Sequence, residues 1–292
     1  MRKTNPSSLR RAVPLAFGAL AVVLLAACSD RGGRTAEAPR VATRVVSLAP
    51  SLTETLYVLD AEDVVLAVTS HCDRPPAAKE KPHVGDVTQL SLERIAGLEP
   101  DLVLVNSVAH VEMLAPLAAR VPVRFVPTDD IPQVLDAVVA VGEAVGRGAA
   151  ARALRTRLEE EVAARRAGAA DRSGTRVLFV VQRDPFFVAG PGSYVDQLLD
   201  VLGYANAADG LARPWPNVSA EALIEMAPDV LVDAAIGVDE ADPLAYRERF
   251  ESLPAVRSGR VHRMRDDVVV RPGPAIAEAL DALERSIAPE DG

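Results

Sequence analysis

From residue 44 onward, short apolar runs alternate with stretches of helical period. Residues 44–48, 64–69, 102–105 and 123–126 are aliphatic or β-branched runs of strand length, bounded by charged or turn-forming residues. Between the first two, Ser51-Leu-Thr-Glu54 carries a capping-box signature and predicts a helix to about residue 59. Residues 71–88, rich in proline and charge, predict a loop. A short helix is expected over 92–98, a helical stretch over 110–121 that Pro116 should kink or restart, and a longer helix over 132–146. This alternation predicts α/β layers around a largely parallel sheet.

The pattern then starts over. Residues 176–181 predict a strand, and Ser193-Tyr-Val-Asp196 predicts a cap before a helix running to residue 202. An internal echo ties the halves together. Ser91-Leu-Glu93-Arg-Ile-Ala-Gly-Leu98-Glu-Pro100-Asp101 matches Ser219-Ala-Glu221-Ala-Leu-Ile-Glu-Met226-Ala-Pro228-Asp229, with Ser, Glu, Pro and Asp coinciding at an offset of 128 residues. That offset is too long for a solenoid and suits a duplicated lobe, although serine caps and Pro-Asp turns recur in any α/β protein. Between the halves, Gly148 and Gly168 bracket a helix with Ala151, Leu154, Leu158 and Val162 along one face. Glu161 and Arg165 stand at the favourable i, i+4 spacing. Such a helix spans roughly 30 Å, enough to cross from one lobe to the other, though a surface helix would show the same narrow stripe.

The amino terminus changes the compartment. Arg2, Lys3, Arg10 and Arg11 precede an apolar run that is too short for a spanning helix and ends in Leu25-Ala26-Ala27-Cys28. This tetrapeptide resembles a bacterial lipobox, with Cys28 as the lipidated residue. Residues 29–42, polar and glycine-containing, read as a tether. Removing residues 1–27 takes four positive side chains from a formal charge of −9 and leaves −13. An acidic surface without a basic stripe argues against nucleic acid as a partner. Cys72 is the other of the two cysteines, so no intramolecular disulfide forms once Cys28 is lipidated. The expectation is an α/β protein of two Rossmann-like lobes with mainly parallel sheets, joined by one long helix, with a ligand cleft between the lobes. Its divisions are a signal peptide over 1–27, a tether over 28–42, an N-terminal lobe over 43–147, an inter-lobe helix over 148–170 and a C-terminal lobe over 171–292.

Several motifs carry a family resemblance. Arg44-Val-Val-Ser-Leu-Ala-Pro50-Ser-Leu-Thr-Glu54, Cys72-Asp73-Arg-Pro75-Pro76 with Val84-Gly85, and the Ser91 to Asp101 segment resemble the first lobe of the helical-backbone (class III) periplasmic binding proteins of ABC importers. Asp184-Pro185 to Gly192, Pro214-Trp215-Pro216 and Arg271-Pro272-Gly273-Pro274 are similar to its second lobe. The resemblance covers about residues 44–287. It implies a lipid-anchored, periplasmic or cell-surface receptor, expected to be monomeric, that delivers cobalamin, haem, a ferric siderophore or a metal ion to a membrane permease dimer. It is not an enzyme and needs no cofactor or resident metal.

The Pro214-Trp215-Pro216 segment looks most like that of cobalamin binders, which makes a corrinoid, cobalamin or cobinamide, the first choice of ligand. Broad apolar faces with a few polar rim groups suit a flat macrocycle. Trp215, between two prolines, would be a rigid plate in the cleft or a core residue. Phe186 and Phe187 would be split by strand alternation, one to the core and one to the cleft. By alignment with the family, His71, Val87 and Asn106 fall where cobalamin binders carry aromatic rings. By analogy Asp73 and Asp267 reach the rim with His71, which could stack, hydrogen-bond or coordinate a metal centre. The resemblance gives Glu93 and Glu221 the docking role toward the permease; each would also complement its helix dipole. Cys72 reads as a small buried side chain.

Ferric siderophore or haem binding is the alternative within the fold, kept open by Arg183 and Arg213. A divalent-metal receptor would need three or four converging ligands, and His71, His83, His110 and His262 are scattered, with His83 and His110 reading as solvated. The adjacent residues His71-Cys72-Asp73 do not suit a catalytic triad, and no nucleophile-elbow, phosphate-loop or zinc-protease motif is present. A purely structural lipoprotein would require neither matched lobes nor the Pro-Trp-Pro loop.

Overall fold

The computed structural model describes residues 41–86, 88–235, 249–264 and 267–288. The first lobe is built on four parallel strands, β1 (Val45–Ser47), β2 (Val65–Val68), β3 (Leu102–Val105) and β4 (Val123–Phe125), in the order β2-β1-β3-β4. β1 and β3 are buried at every position, which is why they read as unbroken apolar runs. Helices α1 (Pro50–Val58), α2 (Leu92–Gly97), α3 (Val108–Met113) and α4 (Ile131–Ala144) cover the sheet. Leu52, Leu56 and Val141 pack in one core cluster, Ile95, Leu114 and Val121 in another.

Two local expectations are corrected here. Ser51 does not cap α1: Ala49 is the N-cap, Pro50 takes the first turn, and Ser51 and Glu54 are both buried within the helix. Proline's fixed φ and missing N–H suit the first helical position and start the helix earlier. The 110–121 stretch is helical only from Val108 to Met113, and His110, expected to be solvated, is buried.

α5 (Gly148–Gly168) leads into the second lobe. There β5 (Arg172–Arg183), β6 (Phe186–Val188), α6 (Tyr194–Val201), β7 (Tyr204–Asn206), β8 (Asn217–Val218), α7 (Ala220–Met226), β9 (Val230–Asp233), α8 (Pro254–Arg257), β10 (Val261–Arg263) and α9 (Ile276–Ile287) follow. The strand order is β10-β9-β5-β6-β8, with β7 also paired to β5. β7, β9 and β10 run parallel as expected, whereas β6 and β8 are antiparallel, so this sheet is mixed. The cause is local: only Asp184 and Pro185 separate β5 from β6, and so short a link allows only an antiparallel return.

The internal echo is structural. Ser91 and Ser219 cap α2 and α7, each side chain accepting a bond from the backbone three residues on, Arg94 and Ala222, at 3.3 and 3.2 Å. Glu99 and Ala227 then both take positive φ, 47° and 45°, before the shared Pro-Asp. Ser193 caps α6 in the same way, accepting from the backbone N–H of Asp196.

Along α5, Ala151, Leu154 and Leu158 are buried and Val162 packs beside them; each buried leucine contributes about 1.5–3 kcal/mol. Arg165, however, does not pair with Glu161. It reaches across to Asp281 and Glu284 on α9, while the i, i+4 pairs on this helix are Arg155 with Glu159 and Arg157 with Glu161. The helix is not the lone connection either. Ile131, Val134 and Val138 of α4 share one core cluster with Val195, Leu198 and Leu283 of the second lobe, so a packed joint reinforces it.

Candidate functional site

In a parallel α/β sheet, ligands bind beyond the carboxyl ends of the strands, where the loops diverge. Four of the expected site residues lie on segments that leave those ends. Asp73 and His71 follow β2, Asn106 directly follows β3, and Asp267 lies in the short 3-10 helix Asp267–Val270 that follows β10. Val87 and Cys28 lie outside the described residues.

The aromatic wall belongs to the second lobe. Gly190 donates its N–H to the Pro214 carbonyl at 2.8 Å, and Val188 donates to the Pro216 carbonyl at 3.2 Å, pinning the loop on both sides of Trp215. A Cβ on Gly190 would lie 2.2 Å from the Arg213 carbonyl oxygen, so only glycine lets the two backbones approach this closely. Trp215, half-buried against the large core cluster, stacks on Phe187 with ring centroids 6.0 Å apart and an interplanar angle of 29°. Alternation along β6 sends Phe186 the other way. It is buried, edge-on to Phe250 at 5.7 Å with the Arg249 guanidinium over its face, and is a core residue rather than a ligand contact.

The polar rim is less uniform. Asn106 is half-buried and donates through Nδ2 to the Thr128 hydroxyl at 3.1 Å. His71 is exposed, beside a turn whose Asp86 carboxyl is held below the usual carboxylate range by Thr88 and Gln89, with a smaller contribution from His71 itself. Cys72 is buried, its sulfur 3.2 Å from both the Thr53 and Thr69 hydroxyls, and burial pushes its thiol up. Arg183 is engaged rather than held out as a clamp: Nε donates to Asp233 Oδ2 at 2.8 Å, and Nη2 pairs with the same oxygen.

Asp73 and Asp267 come together on a residue that sequence reasoning did not single out. Arg271 Nη1 donates to Asp73 Oδ1 at 2.5 Å and lies 3.8 Å from Glu54 Oε1, while Nη2 pairs with Asp267. Asp73 and Glu54 belong to the first lobe, Asp267 and Arg271 to the second. Burial pushes the Asp73 carboxyl up, but Arg271's hydrogen bond and charge outweigh it and hold the group below the ordinary range. Glu54 is the opposite case: burial dominates over Arg74 and Arg271 and raises its carboxyl from 4.5 to about 7. Nearby, Arg74 reaches Glu278 of α9 at 2.8 Å, and a Cβ on Gly273 would lie 3.1 Å from that of Ser51. Arg271 stood within the Arg-Pro-Gly-Pro motif, and Glu54 was read as a helix cap; spacing alone gave neither a partner.

Glu93 and Glu221 occupy the second positions of α2 and α7 and are exposed. The Glu221 carboxyl is held below its ordinary range by its own backbone N–H and the Ser219 hydroxyl. Among the described residues, no helix is long and apolar enough to cross a membrane.

Comparison with known proteins places this arrangement. Residues 45–268 match the family described as periplasmic binding protein. The chain is 28% identical over 256 residues to the uncharacterized ABC transporter substrate-binding lipoprotein YvrC of Bacillus subtilis, covering 85% of this chain and 80% of the relative. It is 28% identical to the vitamin B12-binding protein of Vibrio parahaemolyticus, covering 81% and 86%. Among solved structures, the periplasmic heme-binding protein RhuT from Roseiflexus sp. RS-1 superposes with a TM-score of 0.70 at 27% identity, covering 84% of this chain and 97% of that one. The chain therefore belongs to the periplasmic binding protein family and is a substrate-binding component of an ABC transporter.

Proposed function

We propose that this receptor captures a corrinoid between its two lobes and carries it to the permease while anchored to a membrane through Cys28. The observation that carries the reading is the Trp215–Phe187 stack, pinned by Gly190 at the carboxyl edge of the second sheet. A paired aromatic surface with one half-exposed face suits the flat ring system of a corrin. His71, Asp73, Asn106, Val87 and Asp267 would supply the rim, where the amide side chains of a corrinoid need hydrogen-bond partners. Vitamin B12-binding and cobalamin-binding relatives support the same ligand class. The divisions at residues 27, 42, 147 and 170, and docking through Glu93 and Glu221, complete the proposal.

Haem is the second reading, favoured by the likeness to heme-binding proteins. Haem iron takes a protein side chain as axial ligand, commonly His or Tyr. Among the described residues, Tyr194 and Tyr204 are buried, Tyr57 donates its hydroxyl to the Ala77 carbonyl, and of the exposed histidines His71 and His83 the first is the one proposed at the rim. A corrinoid can bring its own axial base and makes no such demand. Absorbance titration of the purified protein with cyanocobalamin, cobinamide, haemin and a ferric siderophore decides between them. A dissociation constant for a corrinoid below about 1 μM is expected; tighter binding of haemin, with a band shift lost in His71→Ala, would replace the corrinoid reading.

A further inference from the structure

Three carboxylates from two lobes converge on one guanidinium. Arg271 sits on the second-lobe segment after the 3-10 helix, with Asp267 one turn before it. From the first lobe it receives Asp73, on the loop after β2, and Glu54, on α1. The side chain of Arg271 is only 13% exposed, so these pairs are shielded from water and salt. Two more buried side-chain oxygens, Ser51 Oγ on α1 and Tyr194 Oη on α6, have no hydrogen-bond partner there. Burial pushes the Tyr194 phenol up, and the nearby charge of Glu54 adds a smaller push in the same direction. Ion pairs that cross between lobes and are shielded from water resist separation, because breaking one leaves a buried charge uncompensated.

We propose that Arg271 is a positioning residue that ties Asp73 of the first lobe to Asp267 of the second above the buried Glu54, and so sets the spacing of the two lobes around the ligand. Arg271 acts through the two aspartates that the preceding reading places at the rim, and the inference rests on that reading for its ligand arm alone. The groups facing Glu54 are Arg74 from the loop after β2, Arg271 and Asp267 from the second-lobe segment, Glu278 from α9 and Tyr194 from α6, and Asp73 bears on it through their shared partner Arg271. Losing one cation from this set makes Glu54 harder to ionise; losing one anion makes it easier.

The test follows thermal unfolding of the full chain against pH, which needs no ligand, together with titration by cyanocobalamin and haemin. In wild type, stability should fall as pH rises from about 4.5 to about 7, with a midpoint between the two, and Glu54→Gln should flatten that step. Arg271→Ala should move the midpoint upward by about one pH unit or more, Arg271→Lys should restore part of the shift, and Asp73→Asn should move it downward. A merely structural arginine would lower stability at every pH and leave the midpoint in place, and that result overturns the proposal. Should Arg271→Ala fail to fold, Arg271→Lys and Asp73→Asn still give shifts of opposite sign. For whichever ligand wild type binds, Arg271→Ala should weaken affinity about tenfold or more with partial recovery in Arg271→Lys, a fold-change of about 1.4 kcal/mol. Unchanged affinity also overturns it. If wild type binds neither ligand, the proposed function falls, and the inter-lobe tie stands or falls on the pH midpoints.

Discussion

Asp101 and Asp229 make the same bond in their separate lobes. Each carboxylate accepts a hydrogen bond at 2.9 Å from the backbone N–H just ahead of a strand pairing, Arg44 before β1 meets β3 and Arg176 before β5 meets β9, and each aspartate's own backbone N–H donates back to that arginine's carbonyl. Asp101 accepts two further bonds from Thr43, through its backbone N–H and its hydroxyl. In both lobes the aspartate fixes the register in which the strand after Pro-Asp starts to pair with its central neighbour, which explains why Pro-Asp recurs with the serine cap ahead of it.

Replacing either aspartate by alanine should therefore cost about 1.5–3 kcal/mol, the range for hydrogen bonds to a charged acceptor. The two share no partner, so the double variant should lose close to the sum. Denaturant unfolding measures both; strong non-additivity would show that the two strand starts are coupled across the joint.

Trp215 and Phe186 should separate affinity from stability. Trp215→Ala removes the stacking plate and should lower ligand affinity about tenfold or more, with a smaller loss of stability than at a fully buried ring because Trp215 is only half-buried. Phe186→Ala instead empties a core position beside Phe250 and should cost about 3–5 kcal/mol. Because the chain holds one tryptophan, its fluorescence should be quenched as ligand binds. Equal affinity in Trp215→Ala would remove the aromatic wall from the site.

Local rules carried the sequence reading furthest. The serine caps at 91, 193 and 219, the fully buried β3 and the apolar stripe of α5 are fixed by neighbours within one turn or one strand, so composition and spacing reveal them. The misreadings share the opposite property. Ser51 and Glu54 satisfy the spacing of a capping box, yet Pro50 starts the helix first and releases both side chains toward the second lobe. Arg165 has a good partner four residues back but finds two on α9. The pair of Arg271 with Asp73 spans 198 residues, and no periodicity encodes a contact of that range.

The thiol of Cys72 should be inert. Burial pushes it up, and the sulfur is enclosed by two threonine hydroxyls, so little thiolate forms and access is poor. A thiol reagent at pH 8 should leave the folded protein unmodified at this position and label it on unfolding. Rapid labelling in the native state would point to an opening of the loop after β2.

Glu54 gives the sign of a pH effect. Its carboxyl is raised from 4.5 to about 7 in the folded state, so the neutral form is favoured there. The corresponding stability is fully present below about pH 4.5 and is lost as pH rises through about 7, by on the order of 3 kcal/mol. Glu54→Gln, which is neutral at every pH, should thus gain on wild type as pH rises and exceed it above pH 7. Chemical unfolding at pH 5 and pH 8 provides the comparison, and parallel curves for the two proteins would deny Glu54 its buried proton.

Glu93 and Glu221 stand at matching places in the two repeats, each exposed at the second position of a serine-capped helix. Two equivalent acidic points on two lobes suit a partner with two equivalent basic points, such as a permease dimer. Surface charge pairs of this kind act on encounter and register, so either single alanine variant should weaken ATPase stimulation of the cognate transporter and the double variant should abolish it, with the difference from wild type largest at low salt. Ligand affinity should not change, because both side chains are exposed on helix surfaces and neither is among the proposed ligand contacts. Each glutamate also complements its own helix dipole, so a small loss of stability in the single variants is expected. Glutamine at both positions isolates the charge: lost stimulation with unchanged folding would assign the effect to docking, whereas full stimulation by the double glutamine variant would leave these residues with a helical role alone.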